Sequence, residues 1–346
     1  MLKPATRKAE TPCGKDRRMH ARIGTSWHRR MAFVLLLLMA TGARAAGDDA
    51  ALAERHGWRY LIDKLGADGV PRAEAAAAFA DPRVPAFDGL SFNLDPRESP
   101  ARYRALQSSA SIRAARQCRD RYAEAFAAAE KREGVPASVV AAIVHVESSC
   151  GRSTGNNTVL HRLARLAMSN EPANLADNIR RHAGDPPDPT IADRVRERGA
   201  YLERTFYPEV RGLFTMAERL KIDPLDMAGS GAGAFGFPQF LPTSYLRYGT
   251  DGNGDGRVSL YDMDDAAASC ARFLSQNGWR PGLSLAEQRR VLWQYNRSDA
   301  YIDTILGLNR QMDAPPTVRT QVAQNEKRAS SPTRAKSKQK RPPAHR

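Results

Sequence analysis

A glutamate ends an apolar helical stretch near the middle of the chain. In AAIVHVESSCG (residues 141–151), Ile143 and Glu147 are four residues apart, so they share one face of a helix. A carboxyl group among apolar side chains loses hydration, which would raise its pKa and keep it protonated near neutral pH. Such a group can donate a proton to a leaving oxygen. Glu147 is therefore the candidate general acid.

A purely structural role for Glu147 is the alternative. Buried carboxylates are normally satisfied by a cation or by backbone N–H groups, and Arg152 and Arg162 follow it in the chain. The next residues, SSCGRSTG, are rich in Ser and Gly and predict the end of the helix. The acid is thus expected at the rim of its element, where clefts form.

A second group of acids has the spacing of a calcium loop. DGNGDGRVSLYD (residues 251–262) alternates oxygen-bearing side chains with glycines and has Gly256 at position six, where such a loop turns sharply. The predicted ligands are Asp251, Asn253, Asp255, the backbone carbonyl of Arg257, and Asp262. We expect a structural Ca²⁺ rather than a switch. The alternative is an Asn/Asp/Gly turn without an ion.

Two further segments have the composition of a sugar-binding groove. GSGAGAFGFPQF (229–240) lacks the Gly-Lys-Ser/Thr ending of a phosphate-binding loop, so a close-packed backbone wall presenting Ser230 and Gln239 is the better interpretation. The segment beginning YNRSDAY offers Tyr295, Asn296, Ser298 and Tyr301. Aromatic and amide groups together suit sugar rings, which have apolar faces and polar edges.

The charge is concentrated at the two ends of the chain. The formal net charge of +15 divides into +8 for residues 1–45, +8 for 319–346 and −1 for the remainder. A nearly neutral middle argues against a nucleic-acid-binding fold, which would carry its basic patch on the folded surface. The tail (311–346) has the composition of a disordered segment, either simply solvated or loosely attached to an anionic envelope surface.

The first 45 residues have the pattern of a secretory signal peptide. Arg29 and Arg30 precede the apolar run 32–39, and Ala43-Arg44-Ala45 has the small-x-small form that signal peptidases accept. We expect cleavage after Ala45 and an exported protein in the periplasm; an uncleaved anchor is the alternative. Cleavage would remove Cys13. Cys270 lies on a helical apolar stripe, which leaves Cys118 and Cys150 as the candidate disulfide pair.

Between these ends the pattern is helical throughout. ALAERHGWRYLIDKLG (51–66) predicts one amphipathic helix, RVRERGAYLERTFYPEVRGLFTMAERL (194–220) predicts a long one, and no alternating strand pattern occurs. We predict an all-α or nearly all-α protein. Its predicted parts are an N-terminal helical region (46–135), a catalytic domain (136–310) and the basic tail.

Taken together, four of these segments resemble the lytic murein transglycosylase B family. The resemblance is carried by VESSCGRSTG, by the long block from GSGAGAFGFPQF through DGNGDGRVSLYD to SQNGW, and by YNRSDAY. It implies a lysozyme-like helical fold and cleavage of the β-1,4 bond between N-acetylmuramic acid and N-acetylglucosamine in peptidoglycan. The family product is a 1,6-anhydro sugar, formed without water and without a catalytic cofactor.

The resemblance also implies roles for individual residues. It places the single catalytic acid/base on Glu147, the sugar contacts on Ser230, Gln239, Tyr295, Asn296 and Tyr301, and the calcium loop on residues 251–262. Peptidoglycan strands are the expected partner of a monomer, and nucleic acid is not. Two rival interpretations share this fold: a non-catalytic peptidoglycan-binding scaffold and a hydrolytic muramidase.

Overall fold

The computed structural model describes residues 47–96, 100–186 and 188–313, whose regular secondary structure is almost entirely helical. The helices are α1 (47–55), α2 (Arg59–Ala67), α3 (Arg72–Ala80), α4 (Pro100–Leu106), α5 (Ser109–Arg121), α6 (Ala123–Glu133), α7 (Ala137–Ser148), α8 (Val159–Ala167), α9 (Pro172–His182), α10 (Ile191–Leu220), α11 (Pro242–Tyr248), α12 (Met263–Gln276), α13 (Leu285–Tyr295) and α14 (Asp299–Asp313). A 3₁₀ helix covers Met168–Asn170. Strands β1 (Asn157–Thr158) and β2 (Ala228–Gly229) pair antiparallel. The all-α prediction is confirmed.

The two charged ends lie mostly outside the described residues. The predicted signal peptide (1–45) and residues 314–346 of the predicted tail are not described. The first three residues assigned to that tail belong to α14, which continues through Asp313. Within the described ranges, no helix combines the length and the apolar composition that crossing a membrane requires.

Helix α7, which carries Glu147, runs through the centre of the core. Residues 138–146 of this helix are all buried, and α7 contacts α5, α6, α12 and α14. A helix that is apolar on every side must be enclosed by other elements to hide that surface. The apolar stripe that ends at Glu147 is therefore part of a fully enclosed helix, and only the end of this helix approaches the surface.

The N-terminal helices pack on the same core. One cluster of buried side chains extends from Ala53 in α1 to Met312 in α14. In it Trp58 stacks on Phe79 with ring centroids 4.9 Å apart. The single helix predicted over 51–66 is wrong, because the chain breaks at Gly57, whose φ of 81° favours glycine. A Cβ there would also lie 3.1 Å from the carbonyl oxygen of Phe87.

Candidate active site

Glu147 lies in the last turn of α7, at the boundary between core and solvent. Its side chain is half-buried, whereas the helix before it is enclosed. Ser149 ends the helix in the left-handed conformation, with φ of 53°, and its N–H donates to the carbonyl of His145 at 2.9 Å. The tertiary structure therefore places this carboxyl group at the rim of α7, as its sequence predicted.

Two of the predicted sugar-contacting tyrosines interact with Glu147. Burial raises the pKa of Tyr301 well above its usual value, and the charge of Glu147 raises it further. Burial is also the largest cause of the raised pKa of Tyr295, to which Glu147 adds. The Tyr301 hydroxyl makes no hydrogen bond of standard geometry within the described residues, although Glu147 is close enough to interact with it. Both phenols are neutral at physiological pH and can donate hydrogen bonds.

The same two tyrosines connect helices α13 and α14 to the glycine-rich segment. Their rings are stacked, with centroids 6.3 Å apart and an interplanar angle of 9°. The hydroxyl of Tyr295 donates to the carbonyl oxygen of Pro238 at 2.5 Å, and its ring meets Phe273 edge-on at 4.9 Å. Tyr295 is therefore held on three sides and presents a fixed surface beside Glu147.

Asn296 directly follows Tyr295 and ends α13. Its N–H donates to the carbonyl of Leu292 at 3.0 Å, and its own carbonyl accepts from the N–H of Ser298 at 2.9 Å. Ser298 is buried, and its hydroxyl accepts from the N–H of Tyr301 at 3.1 Å. Ser298, which the sequence offered as a sugar-contacting residue, instead sets the start of the turn that carries Tyr301. Its signal is a serine just before a helix, as in an N-cap.

The glycine-rich segment 229–240 forms a close-packed wall beside the loop that follows α7. We call it the glycine-rich wall. The Ser230 N–H donates to the Ala234 carbonyl at 2.7 Å, and the Ser230 hydroxyl accepts from the Ala234 N–H at 3.1 Å. A Cβ on Gly155 would lie 2.1 Å from the carbonyl oxygen of Gly229, so only glycine allows this approach. The predicted backbone wall is thus present.

Gln239 joins the glycine-rich wall to that loop. Its Nε2 donates to the carbonyl of Thr154 at 3.1 Å and to that of Gly236 at 2.9 Å. Its backbone is left-handed, with φ of 51°, which is uncommon for glutamine. The side-chain amide nitrogen therefore has a structural function in addition to the sugar contact predicted for this residue.

The arginines proposed as alternative partners of Glu147 have other interactions. Arg162 donates from Nε to the carbonyl of Gly231 at 2.8 Å and thus supports the glycine-rich wall. The positive charge of Arg152 lies near His145. The pKa of His145 is lowered chiefly by burial and secondarily by this charge. The structure therefore brings Glu147 together with Tyr295 and Tyr301, while Ser230 and Gln239 lie on the wall that contacts the same loop.

Cys118 and Cys150 form a disulfide in the structure. Their Cα atoms are 5.9 Å apart, and the bridge connects α5 to the turn that follows Glu147. Cys270 is a free, fully buried thiol in α12, where it packs in the core as its stripe predicted. Burial raises the pKa of the Cys270 thiol, with a smaller opposing contribution from a hydrogen bond with Tyr295.

In the predicted calcium loop, several side-chain oxygens bind the loop's own N–H groups. The Asp251 carboxylate accepts from Gly254 at 2.6 Å and from Gly256 at 2.8 Å, and these bonds lower its pKa, the Gly256 bond most. The side chains of Asn253 and Asp255 each accept from the N–H two residues ahead. Carboxylate and amide oxygens at these three positions are the donor types that calcium takes.

The side chain of Asp262, the last predicted ligand, bonds to the start of the helix that follows the loop. Its carboxylate caps α12, accepting from the N–H groups of Asp264 and Asp265. The acid that faces the loop is Asp265, which is buried and accepts from Gly252 at 2.7 Å and from Ser259 at 2.6 Å. Asp265 lies beyond the twelve-residue loop predicted from the sequence, so it was not among the predicted ligands. Over the described ranges, no cluster of three or more Asp, Glu, His or Cys side chains is arranged to hold a metal.

The chain matches the transglycosylase SLT domain family over residues 54–290, more than half of its length. It is 32% identical over 167 residues to the membrane-bound lytic murein transglycosylase B of Escherichia coli strain K12, an alignment that covers 48% of this chain and 38% of that protein. The chain thus matches well under half the length of this curated relative.

Solved structures share the fold. The lytic transglycosylase SLT35 of Escherichia coli in complex with calcium superposes with a TM-score of 0.54 at 21% identity, covering 74% of this chain and 92% of that one. The soluble lytic transglycosylase SltB1 of Pseudomonas aeruginosa gives 0.55 at 22% identity, covering 76% and 98%. From the sequence match and this shared fold, we conclude that the chain belongs to the transglycosylase SLT domain family.

Proposed function

We propose that this protein is a peptidoglycan lytic transglycosylase. It cleaves the β-1,4 bond between N-acetylmuramic acid and N-acetylglucosamine and releases a 1,6-anhydro-N-acetylmuramic acid end. The observation that supports this most directly is the position of Glu147, half-buried at the end of an enclosed helix beside the buried Tyr301 and the half-buried Tyr295. The proposal also rests on family membership.

The proposed chemistry uses Glu147 alone. Its carboxyl group donates a proton to the glycosidic oxygen as the bond to C1 of the muramic sugar breaks. The substrate's own N-acetyl oxygen stabilises the positive charge at C1. Ionised Glu147 then removes the proton from the C6 hydroxyl, whose oxygen bonds to C1. Because the same group gives and regains the proton, the paired carboxylates of most glycosidases are not required.

The surrounding residues are proposed to hold the sugars. Tyr301 is buried and neutral beside Glu147, so its hydroxyl can donate to the carboxylate after the first proton transfer. Tyr295 offers a ring surface for a sugar face, and Asn296, Ser230 and Gln239 offer polar groups for sugar hydroxyls and amides. The Pseudomonas aeruginosa transglycosylase SltB3 has been solved in complex with NAG-NAM-pentapeptide, at 18% identity and a TM-score of 0.52.

Analysis of digestion products tests this function. Purified peptidoglycan sacculi are incubated with the protein, and the soluble products are identified by mass spectrometry. We expect muropeptides with anhydro ends, which are lighter than hydrolysis products by one water. Reducing ends would instead identify a hydrolytic muramidase. Intact sacculi at high protein concentration would identify a non-catalytic binding protein and refute the proposal.

We also propose that the 251–262 loop binds a structural Ca²⁺. The proposed ligands are Asp251, Asn253, Asp255 and the Arg257 carbonyl, with Asp265 rather than Asp262 as the additional acid. In the described structure the oxygens of these side chains bond to N–H groups and are not gathered into a metal cluster. Binding only to the folded protein stabilises it, by about 2.7 kcal/mol at a concentration 100 times the Kd. Calcium is therefore expected to raise the unfolding temperature, and Asp255→Ala to abolish that increase. If neither calcium nor a chelator changes the unfolding temperature, the proposed calcium site is wrong.

The location of the protein is also a proposal. We propose that residues 1–45 direct export, with cleavage after Ala45, and that the mature protein acts on peptidoglycan in the periplasm as a monomer. The basic tail would add loose attachment to anionic envelope polymers. N-terminal sequencing of the protein purified from the cell envelope fraction tests the cleavage site.

A further inference from the structure

We propose that the Cys118–Cys150 disulfide positions the catalytic glutamate. It holds the chain reversal that follows Glu147, and this reversal sets the distance between the carboxyl group and the glycine-rich wall. The inference rests on the proposed function in assigning proton transfer to Glu147. In this proposal the bridge touches no substrate; it acts through the backbone that carries the acid.

The reversal after α7 has an unusual backbone. Ser149, Cys150 and Gly151 are consecutive left-handed residues, with φ of 53°, 64° and 78°. Glycine takes this conformation readily, but a residue with a Cβ does so at an energetic cost, and cysteine lacks the side-chain amide or carboxylate that eases it for Asn and Asp. Some interaction must therefore hold Cys150 in place.

Helix α5 holds the segment around Glu147 at two points. The first is the disulfide, which joins Cys150 to the buried Cys118. The second lies seven residues earlier on α5, where Ser111 Oγ and His145 Nε2 form a hydrogen bond of 2.8 Å. His145 and Cys150 lie on either side of Glu147 in the chain. The acid is thus carried by a segment attached to one rigid helix before and after it.

The reversal also contacts the glycine-rich wall. A Cβ on Gly151 would lie 2.6 Å from the ring of Phe237, so the turn packs directly on the glycine-rich wall. The chain then reaches Thr154, whose carbonyl accepts from Gln239 Nε2 at 3.1 Å. If the reversal relaxes, Glu147 and the wall move relative to each other. A displacement of about 1 Å in a site of this kind can lower turnover about 10²-fold.

A disulfide can also act only by restricting the unfolded chain. In that case its loss would lower the unfolding temperature whatever residue replaces Cys150. The positioning role predicts instead that the replacement residue matters, because it decides whether the left-handed turn survives without the bridge. This difference separates the two explanations.

The test compares two variants that both lack the bridge. One is Cys118→Ala/Cys150→Gly and the other is Cys118→Ala/Cys150→Val. Glycine accepts a φ of 64° without cost, whereas β-branched valine resists it. We expect kcat of the valine variant to be about 10- to 100-fold lower than that of the wild type, with little change in KM. The kcat of the glycine variant should be at least about tenfold higher than that of the valine variant. Circular dichroism confirms that both are folded at the assay temperature.

Reduction of the wild-type protein gives a second measurement that does not depend on activity. A shallow cleft lined by Gln117, Arg121 and Arg152 opens onto both cysteines, so dithiothreitol can reach the bridge. Each cysteine gains a hydrogen and dithiothreitol becomes its cyclic disulfide. Amide hydrogen exchange at Ser149, Cys150 and Gly151 should then accelerate, because their N–H groups bond within this turn. The glycine variant, which keeps Cys270 as its only thiol after removal of residues 1–45, should not respond.

The outcomes separate the two proposals. Equal kcat in the two variants, or exchange in this turn that is unchanged on reduction, overturns the positioning role. Wild-type protein that releases nothing from peptidoglycan overturns the proposed function. In that case the exchange rates alone decide whether the bridge holds the turn.

Discussion

The end of α7 and the acidic loop at 251–262 place carboxylates in opposite environments. Glu147 is half-buried against Tyr301, in a segment attached to α5 on both sides. Asp251 is surrounded by the N–H groups of its own loop, which lower its pKa. One acid faces aromatic groups packed from distant helices, and the other is satisfied within a few residues.

This difference explains why the two regions are suited to different functions. A carboxylate that accepts several backbone N–H bonds is stabilised in its charged form and is a poor proton donor. A carboxyl group beside neutral phenols can exchange a proton and still be stabilised when it ionises. We therefore assign chemistry to the α7 rim and stability to the loop, and substitutions can test this division.

Glu147→Gln is expected to have the largest effect on activity. It keeps the size of the side chain and its capacity for hydrogen bonds but cannot donate and regain a proton. Release of muropeptides should fall by about 10²- to 10⁴-fold, the usual contribution of general acid/base catalysis. The free energy of unfolding should change by less than about 1 kcal/mol, because the side chain is half-buried.

The matched control for this prediction is Glu74→Gln, the same change on the exposed side of α3. Its activity should equal that of the wild type, and sacculus binding should persist in both variants. If Glu147→Gln releases anhydro-muropeptides at the wild-type rate, Glu147 is not the acid and the comparison between the two regions fails.

Asp265→Asn, a change in α12 beside the loop, is expected to have the largest effect on stability. The buried carboxylate accepts from both Gly252 and Ser259, and the amide replaces one acceptor by an N–H₂ group. Hydrogen bonds to charged groups contribute about 1.5–3 kcal/mol, so we expect a loss of about 2 kcal/mol in urea unfolding. Asp262→Asn should be nearly neutral, because asparagine is an equally good N-cap. Equal losses in the two variants would contradict the reassignment from Asp262 to Asp265.

The smallest expected effect is the response of the two regions to pH. Burial lowers the pKa of His145, so the unfolded chain binds a proton that the folded protein resists, and stability falls as pH drops through the usual histidine range. The pKa of Asp251 is also lowered in the folded protein, so this carboxylate contributes fully to stability above the aspartate pKa of the unfolded chain. That contribution to stability is lost as the pH falls below this value.

Unfolding measured at pH 7, 5 and 3 separates these contributions. His145→Gln should reduce the change in the free energy of unfolding between pH 7 and 5. Asp251→Asn should reduce the change between pH 5 and 3. A His145→Gln profile parallel to that of the wild type between pH 7 and 5 would show that this histidine does not titrate as its burial implies.

Local patterns in the sequence predicted much of the secondary structure and part of the candidate site. Helical periodicity predicted residues 194–220 of the 30-residue helix α10 despite Pro208 inside it, and the Ser and Gly residues after Glu147 predicted the end of α7. These signals are local, because helix formation and its termination depend on neighbouring residues. The break at Gly57 was missed although its signal is local: Gly57 ends α1 in the left-handed conformation, and the N–H of Trp58 donates to the carbonyl of Ala53.

By itself, the sequence determined an all-helical chain, an acid at the end of an apolar helix, a glycine-rich segment with room only for backbone, and an acidic loop with oxygen donors at alternate positions. The tertiary structure alone decided that Tyr295 and Tyr301 lie beside Glu147, that Asp265 faces the loop while Asp262 caps a helix, and that α5 holds the turn after Glu147. The reason is physical: a side chain's type follows from the sequence, but its hydration and its partners depend on which distant elements pack around it.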